Sequence, residues 1–363
     1  MNLVVKIGSS SVTNSDFEVN HDVLDKLCDQ ILDVRNEGHR VALVTSGAIA
    51  LGLGHLEIRG DRPSEMVLLQ AASAIGQVQL IATYAQKLAA RGIICGQVLL
   101  SASDFMERRQ YLSAKSTILK MLDLGVVPII NENDAVADDE IRLGDNDRIA
   151  ALVAGLVNAD VLVLLTDQDG LFSADPRYFE DATLIEQVQE VTRELAALAG
   201  GQGTNRGSGG MATKIMAARI AAWSGVETLI AAAAGDSVLS AAAKHANGQG
   251  TWIARSQRRL PARKLWIAFA LPVIGSVVVD DGALNAICKR GSSLLAVGVR
   301  EVSGIFSAGD AIEICGIGRT TVAKGLARLS SEEVASLIGK QPTASDGENS
   351  AIVIHRDDLI VLA

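Results

Sequence analysis

Two lysines stand where an ammonium is expensive unless it has a task. Lys6 lies inside the apolar run Leu3-Val4-Val5-Lys6-Ile7. A charge in that setting needs an anionic partner or ligand. Lys214 closes the glycine-rich stretch Gly207-Ser208-Gly209-Gly210-Met211-Ala212-Thr213-Lys214. Glycine turns and helix N-termini present backbone N–H groups to phosphate and carboxylate oxygens. Two lysines at such places suit a phosphoryl group in transfer. Polar runs punctuate the same half of the chain: Gly8-Ser9-Ser10-Ser11, Thr45-Ser46-Gly47, Asn131-Glu132-Asn133-Asp134 and Thr166-Asp167-Gln168-Asp169-Gly170, besides the loop 200–210. One glycine turn merely reverses a chain. Five polar strand ends on one rim read as a site.

Other chemistries lack their residues. There is no GxxxxGK[ST], and no GxGxxG follows the first strand with an acidic residue about 20 positions on, so a P-loop protein and a nicotinamide dehydrogenase are disfavoured. The five histidines are dispersed, and the four cysteines, Cys28, Cys95, Cys288 and Cys315, form no CxxC pair. Gly144-Asp145-Asn146-Asp147 begins like a calcium loop without completing one.

These loops need elements to hold them. Short apolar runs at Leu3–Ile7, Arg40–Thr45, Ile93–Leu100, Val126–Asn131, Val161–Thr166 and Glu227–Ala231 read as strands. Between them lie helices: one capped by Asn20 and ended by Gly38, one from Ser64 through about Ala90, then Gln110–Leu122, Asp147–Asn158 and Met211–Ser224. The alternation predicts an α/β fold, a mainly parallel sheet sandwiched by helices. In such sheets ligands bind at the carboxyl ends of the strands, where the polar runs fall.

The texture changes near Arg255-Ser256-Gln257-Arg258-Arg259-Leu260-Pro261-Ala262-Arg263-Lys264, which reads as a basic linker over 255–264. Residues 1–254 hold 20 basic and 31 acidic side chains, and residues 255–363 hold 13 and 11. Short strands are expected at Gly275–Asp280, Leu294–Val297, Ala311–Cys315, Thr321–Leu326, Ala351–His355 and Leu359–Leu362, with helices at Asp281–Lys289 and Ser331–Leu337. Residues 265–363 thus form a small, mostly β domain behind a first domain of 1–254. The whole chain has 363 residues, 48% hydrophobic and 21% charged, with a net charge of −9, a composition that excludes disordered, collagenous and disulfide-scaffold classes. With only 6 Phe, 3 Trp and 3 Tyr, it is poor in stacking platforms for single-stranded nucleic acid. No signal peptide and no unbroken apolar run of membrane length is apparent, so a cytoplasmic location without a membrane partner is expected.

Val4-Val5-Lys6-Ile7-Gly8-Ser9-Ser10, Val44-Thr45-Ser46-Gly47-Ala48-Ile49-Ala50, Asn131-Glu132-Asn133-Asp134-Ala135-Val136, Gly144-Asp145-Asn146-Asp147, Leu165-Thr166-Asp167-Gln168-Asp169-Gly170-Leu171 and Gly209-Gly210-Met211-Ala212-Thr213-Lys214 together resemble the amino acid kinase family, in its order and spacing. The tail, with Val279-Asp280-Asp281-Gly282-Ala283 and Arg290-Gly291-Ser292-Ser293-Leu294-Leu295, resembles a PUA domain, a module best known in RNA-modifying enzymes. The resemblance covers nearly the whole chain. It implies the reaction L-glutamate + ATP → L-glutamyl 5-phosphate + ADP, the first step of proline biosynthesis, with proline as inhibitor and a homo-oligomer built on the kinase domain.

By that resemblance Lys6 and Lys214 grip the ATP phosphates, and Asp147, with Asp145, orients the lysines or Mg²⁺. Gly8, Ser9, Thr166 and Asp167 lie by the nucleotide, and Ser208, Gly209, Gly210, Met211, Ala212, Thr213 and Lys214 form its loop. Ser46, Gly47, Asp134 and Asn146 hold glutamate. Protein ligands of a metal are not assigned. The sequence departs from the family's usual pattern at Ser9 and Ser208, where threonine is common, and at Arg148, where a neutral residue is.

The residues suit that reaction. A glutamate carboxylate, with a pKa near ~4.3, is already ionised at neutral pH, so no general base is required. Alignment and charge neutralisation carry such transfers. Pathway logic adds a hand-over of the acyl phosphate to a reductase. Acetylglutamate, aspartate, carbamate or uridylate kinases on the same fold are the near rivals, and an RNA-binding protein acting through the tail is the rival of a different class.

Overall fold

The computed structural model describes residues 1–363 apart from 59, 61, 106, 137–145, 193–194, 196–209, 258, 270, 272, 339–351 and 363. The chain divides into two units, Met1–Arg259 and Leu260–Ala363. The boundary falls inside the expected linker. Its second half is no linker: Pro261 leads into a helix.

Among the described residues the first unit is built on eight strands: β1 (Asn2–Ile7), β2 (Arg40–Val44), β3 (Cys95–Leu100), β4 (Val127–Glu132), β5 (Val161–Thr166), β6 (Gln187–Val188), β7 (Glu227–Ala232) and β8 (Thr251–Ile253). Their order is β3-β4-β2-β1-β5-β7-β8-β6. Every pairing is parallel except β7 with β8. The expectation of a mainly parallel sheet holds. β5 is buried along its whole length and β1 beyond its first residue, as strands covered on both faces must be.

Helices cover the sheet: α1 (Ser9–Val12), α2 (His21–Asn36), α3 (Ala48–His55), α4 (Met66–Ala89), α5 (Arg108–Asp123), α6 (Asn146–Leu156), α7 (Met211–Ser224) and α8 (Val238–Lys244). The Asn20 side chain accepts from Val23 N–H and caps α2, and Gly38 follows its end at φ +86°. Ser64 does not cap α4; that helix starts after Glu65 with no side-chain cap. Among the described residues α4 alone is long and apolar enough to cross a membrane. In this protein it lies against α3. A Cβ on Gly52 would fall 1.8 Å from the Ala72 carbonyl oxygen, and one on Gly76 would fall 1.9 Å from that of Ala48. The two backbones touch because both helices present glycine at the crossing.

The second unit has a six-stranded sheet. Its strands are β9 (Gly275–Val279), β10 (Leu294–Leu295), β11 (Val299–Ser303), β12 (Ala311–Cys315), β13 (Thr321–Ala327) and β14 (Ile352–Val361), in the order β10-β14-β13-β12-β9-β11. Only β12 with β9 is parallel. The two closing strands expected from the sequence are one, β14, which pairs with both β13 and β10. Among the described residues the unit has three α-helices, α9 (Ala262–Phe269), α10 (Asp281–Arg290) and α11 (Ser331–Leu337). α9 buries Leu265, Trp266 and Ile267. The buried Lys324 donates to the Ala268 carbonyl oxygen in the last turn of α9 at 3.4 Å and, just past the helix end, to that of Leu271 at 2.6 Å. α11 carries a full capping box between Ser330 and Glu333.

Candidate active site

Lys6 is the fifth residue of β1 and only 5% exposed. Its Nζ stands 2.6 Å from Oδ1 of Asp147. Lys214, equally buried on α7, places its Nζ 3.1 Å from Oδ2 of the same carboxylate. The Thr213 hydroxyl lies 3.0 Å from that Oδ2 and 2.8 Å from the Gly210 carbonyl oxygen. Asp147 is fully buried in the first turn of α6, where a carboxylate also suits the helix dipole. Burial alone would raise its carboxyl; the Lys6 and Lys214 ammoniums outweigh that and hold it well below the usual carboxylate range. Two buried ammoniums thus share one carboxylate. The cluster retains one positive charge in a place water hardly reaches. That is a donor set for an anion. Gly8 adjoins the cluster: a Cβ there would stand 3.6 Å from Lys6 Nζ, an ordinary contact.

Asn146 is the second centre. Its Nδ2 donates toward Ser46 Oγ at 2.7 Å, Thr45 O at 2.9 Å and Asn131 Oδ1 at 3.0 Å. Its buried Oδ1 has no hydrogen-bond partner among the described residues. Gly47 follows Ser46 at φ +106°, a conformation that favours glycine, and starts α3. The ends of β1, β2 and β5 lie side by side, because Lys6 pairs with Val44 on β2 and Ile7 with Leu165 on β5. Thr166 is therefore one step beyond the Ile7 pair, beside Gly8, and its hydroxyl donates to Asp167 at 3.1 Å.

Asp134 follows the end of β4. It is 8% exposed and accepts from the Ser73 hydroxyl at 2.8 Å. Burial pushes its carboxyl up; the Ser73 hydrogen bond and the charge of Arg62 pull it part of the way back.

The structure therefore joins Lys6, Asp147, Lys214 and Thr213 in one cluster and Ser46 and Asn146 in a second. The two meet through the peptide between Asn146 and Asp147. Gly8, Ser9, Gly47, Thr166, Asp167, Gly210, Met211 and Ala212 lie at the strand ends or at the start of α7. Asp145, Ser208 and Gly209 lie outside the described residues. Sequence reasoning did not single out Ser73, Gln77 or Arg62 for the site. Gln77 accepts from Asn131 Nδ2 at 2.7 Å. Gln70, Ser73 and Gln77, spaced three and four apart on α4, are the signal of a polar face there.

The amino acid kinase family model matches residues 1–232, and the PUA domain model matches residues 275–343. The chain belongs to the amino acid kinase family. This kinase with a PUA tail aligns with curated relatives over nearly the whole length of both. A glutamate 5-kinase of Burkholderia thailandensis is 45% identical over 99% of this chain and 97% of its own. One of Thermoanaerobacter pseudethanolicus is 43% identical over 100% and 98%. One of Marinomonas sp. is 42% identical over 99% and 97%.

Proposed function

We propose that this kinase transfers the γ-phosphoryl group of ATP to the side-chain carboxylate of L-glutamate, giving L-glutamyl 5-phosphate and ADP. The observation that carries the reading is the pair of buried ammoniums on a single carboxylate. The relatives named glutamate 5-kinase, aligned over nearly their whole length, supply the substrate.

Each ammonium has three donors, and Asp147 occupies only part of that capacity. The remaining N–H bonds of Lys6 and Lys214 receive the phosphate oxygens of ATP and neutralise the charge that spreads over them during transfer. Asp147 holds both lysines in place. The backbone N–H groups near Gly8 and at the start of α7, with Thr166 and Asp167, line the nucleotide. Ser46, Asn146 and Asp134 hold glutamate: the orphaned Oδ1 of Asn146 and the Asp134 carboxylate are acceptors for its α-ammonium. The attacking oxygen is ionised beforehand, so no protein base takes a proton. Both oxygens of Asp147 face lysines, which leaves it poorly placed as a magnesium ligand; Mg²⁺ would enter on the phosphates of ATP.

The test is ATP consumption with hydroxylamine present to trap the acyl phosphate. L-Glutamate is run beside N-acetylglutamate, aspartate, carbamate and UMP. Hydroxamate from glutamate alone supports the reading; turnover of another substrate moves the specificity and keeps the lysines.

The wider setting belongs to the same proposal: a cytoplasmic homo-oligomer at the first step of proline biosynthesis. Proline competes with glutamate because both carry a carboxylate and a cationic nitrogen, and the acyl phosphate passes to a reductase. Insensitivity to millimolar proline counts against the first, and a pull-down without reductase against the second. The PUA match favours one further reading, that residues 260–363 bind RNA. Phosphate-driven binding is steeply salt dependent. A gel shift that survives high salt, or none at all, argues against it.

A further inference from the structure

Ser73 lies in the interior of α4 and is 3% exposed. A buried serine in a helix ordinarily donates its hydroxyl to the carbonyl one turn back. Ser73 does not. It reaches 61 residues along the chain to Oδ2 of Asp134, at 2.8 Å. One turn on, Gln77 accepts from Asn131, which in turn accepts from Asn146. Two polar side chains on one face of α4 therefore brace the end of β4. Ser73, Gln77, Glu132 and Asp134 also line a pocket of about 340 Å³ that reaches Gln97 and Leu99 of β3, and neither Ser46 nor Asn146 lines it, so it is the hydrogen bonds and not this pocket that tie Ser73 to the site.

The brace is stiff because α4 is. Its backbone presses on α3 at Gly52 and Gly76, and α3 begins directly after Ser46-Gly47. Ser73 and Gln77 thus ride on α4, and Ser46 lies just ahead of the helix packed against it. Sites held on such elements keep their geometry better than sites on loops.

We propose that Ser73 is a positioning residue of the substrate's amino-group subsite, its hydroxyl locking the Asp134 carboxylate against rotation so that it meets the α-ammonium of glutamate. This rests on the reading of the site as one for glutamate. A carboxylate anchored through one oxygen loses its freedom to turn about the Cβ–Cγ bond, and the ordering is then complete before the substrate arrives. The effect is confined to ground-state holding of a non-reacting group, away from Lys6 and Lys214. It should appear in KM for glutamate and not in kcat.

The experiment uses the full chain. Ser73→Ala keeps a strong helix former at the position. Hydrogen bonds to charged groups are worth enough that the expected rise in KM for L-glutamate is about tenfold, with kcat and KM for ATP within about twofold and the melting temperature nearly unchanged. Ser73→Cys, of similar size with a weaker donor, falls between. Wild-type turnover of glutamate with an unchanged KM in Ser73→Ala overturns the inference alone. So does a joint loss of kcat and of ATP affinity, which marks a general disturbance. A wild-type protein that forms no hydroxamate from glutamate overturns the functional reading, and this inference with it.

Discussion

Lys214 meets the carboxylate of Asp147, 67 residues earlier in the chain, on the oxygen that Lys6 leaves free. As the fourth residue of α7, Lys214 also stands where a cation opposes the helix dipole. Stability alone would not place it there. If it holds a transferring phosphoryl group, Lys214→Ala loses about 10²–10³ in kcat, the usual loss for one preorganised donor, and so does Lys6→Ala. Hydroxamate assays with circular dichroism as the fold control measure this. A variant with half the wild-type rate would refute the role.

Asp147→Asn removes the one anion that two buried ammoniums share. Breaking a buried pair typically costs about 3–5 kcal/mol. The ligand-free variant should melt well below wild type, and ATP should restore part of the loss. The pH dependence has a definite sign. The Asp147 carboxyl is depressed in the folded protein, so its contribution is complete above the ordinary value of 3.8 and is lost as pH falls below that. The gap in melting temperature between wild type and variant should be full at pH 7 and shrink only below about pH 4.

Asp134 behaves oppositely. Burial raises its carboxyl despite the Ser73 hydroxyl and the Arg62 charge. A raised carboxyl favours the folded protein below the ordinary value and penalises it once the pH passes the raised one. Asp134→Asn should therefore raise the melting temperature at pH 7–8, with the advantage fading towards pH 4, while KM for glutamate rises. A neutral amide that melted lower at pH 7 would contradict the assignment of a strained buried charge.

The crossing of α3 and α4 gives a purely structural prediction. Gly76→Ala places a methyl group 1.9 Å from the Ala48 carbonyl oxygen, which belongs to backbone and has no flexible end to yield. Overpacking of this kind costs about 1–3 kcal/mol or more. Urea unfolding should show a lower midpoint, and Gly52→Ala should do the same. Because Ser73 rides on α4 and Ser46 immediately precedes α3, glutamate KM should rise in any folded fraction.

Much of this was legible in the residues. Strand–helix alternation is written in apolar periodicity, which depends on neighbours two to four positions apart, so β1, β5 and α7 could be found without coordinates. Asn20 announces α2 because a cap is a local hydrogen bond. Ser64 misleads for the same reason: a good cap residue one position too early looks the same in sequence. α3 is not legible in the sequence because Ala48–His55 carries two glycines, which lower helix propensity; Gly52 serves the crossing with α4, and Gly54 lets the helix approach the Phe17 backbone. The helix α9 is not legible because its first turn carries Arg263 and Lys264 at the end of a basic run, ahead of its apolar residues.

The candidate site divides in the same way. Residue type alone made Lys6 costly inside an apolar strand, and spacing put Lys214 behind a glycine-rich loop; both follow from chemistry local to a few residues. The shared carboxylate, the bridge from Asn146 to Ser46 and the reach of Ser73 to Asp134 join positions 61 to 141 residues apart. Such contacts are decided by sheet order and helix packing, which bring distant strand ends onto one rim. Sequence by itself determined which side chains were too costly to be idle, and only the tertiary structure decided which of them meet, because partners are chosen by proximity in space and the burial that makes a charge need one is shared by the whole sheet.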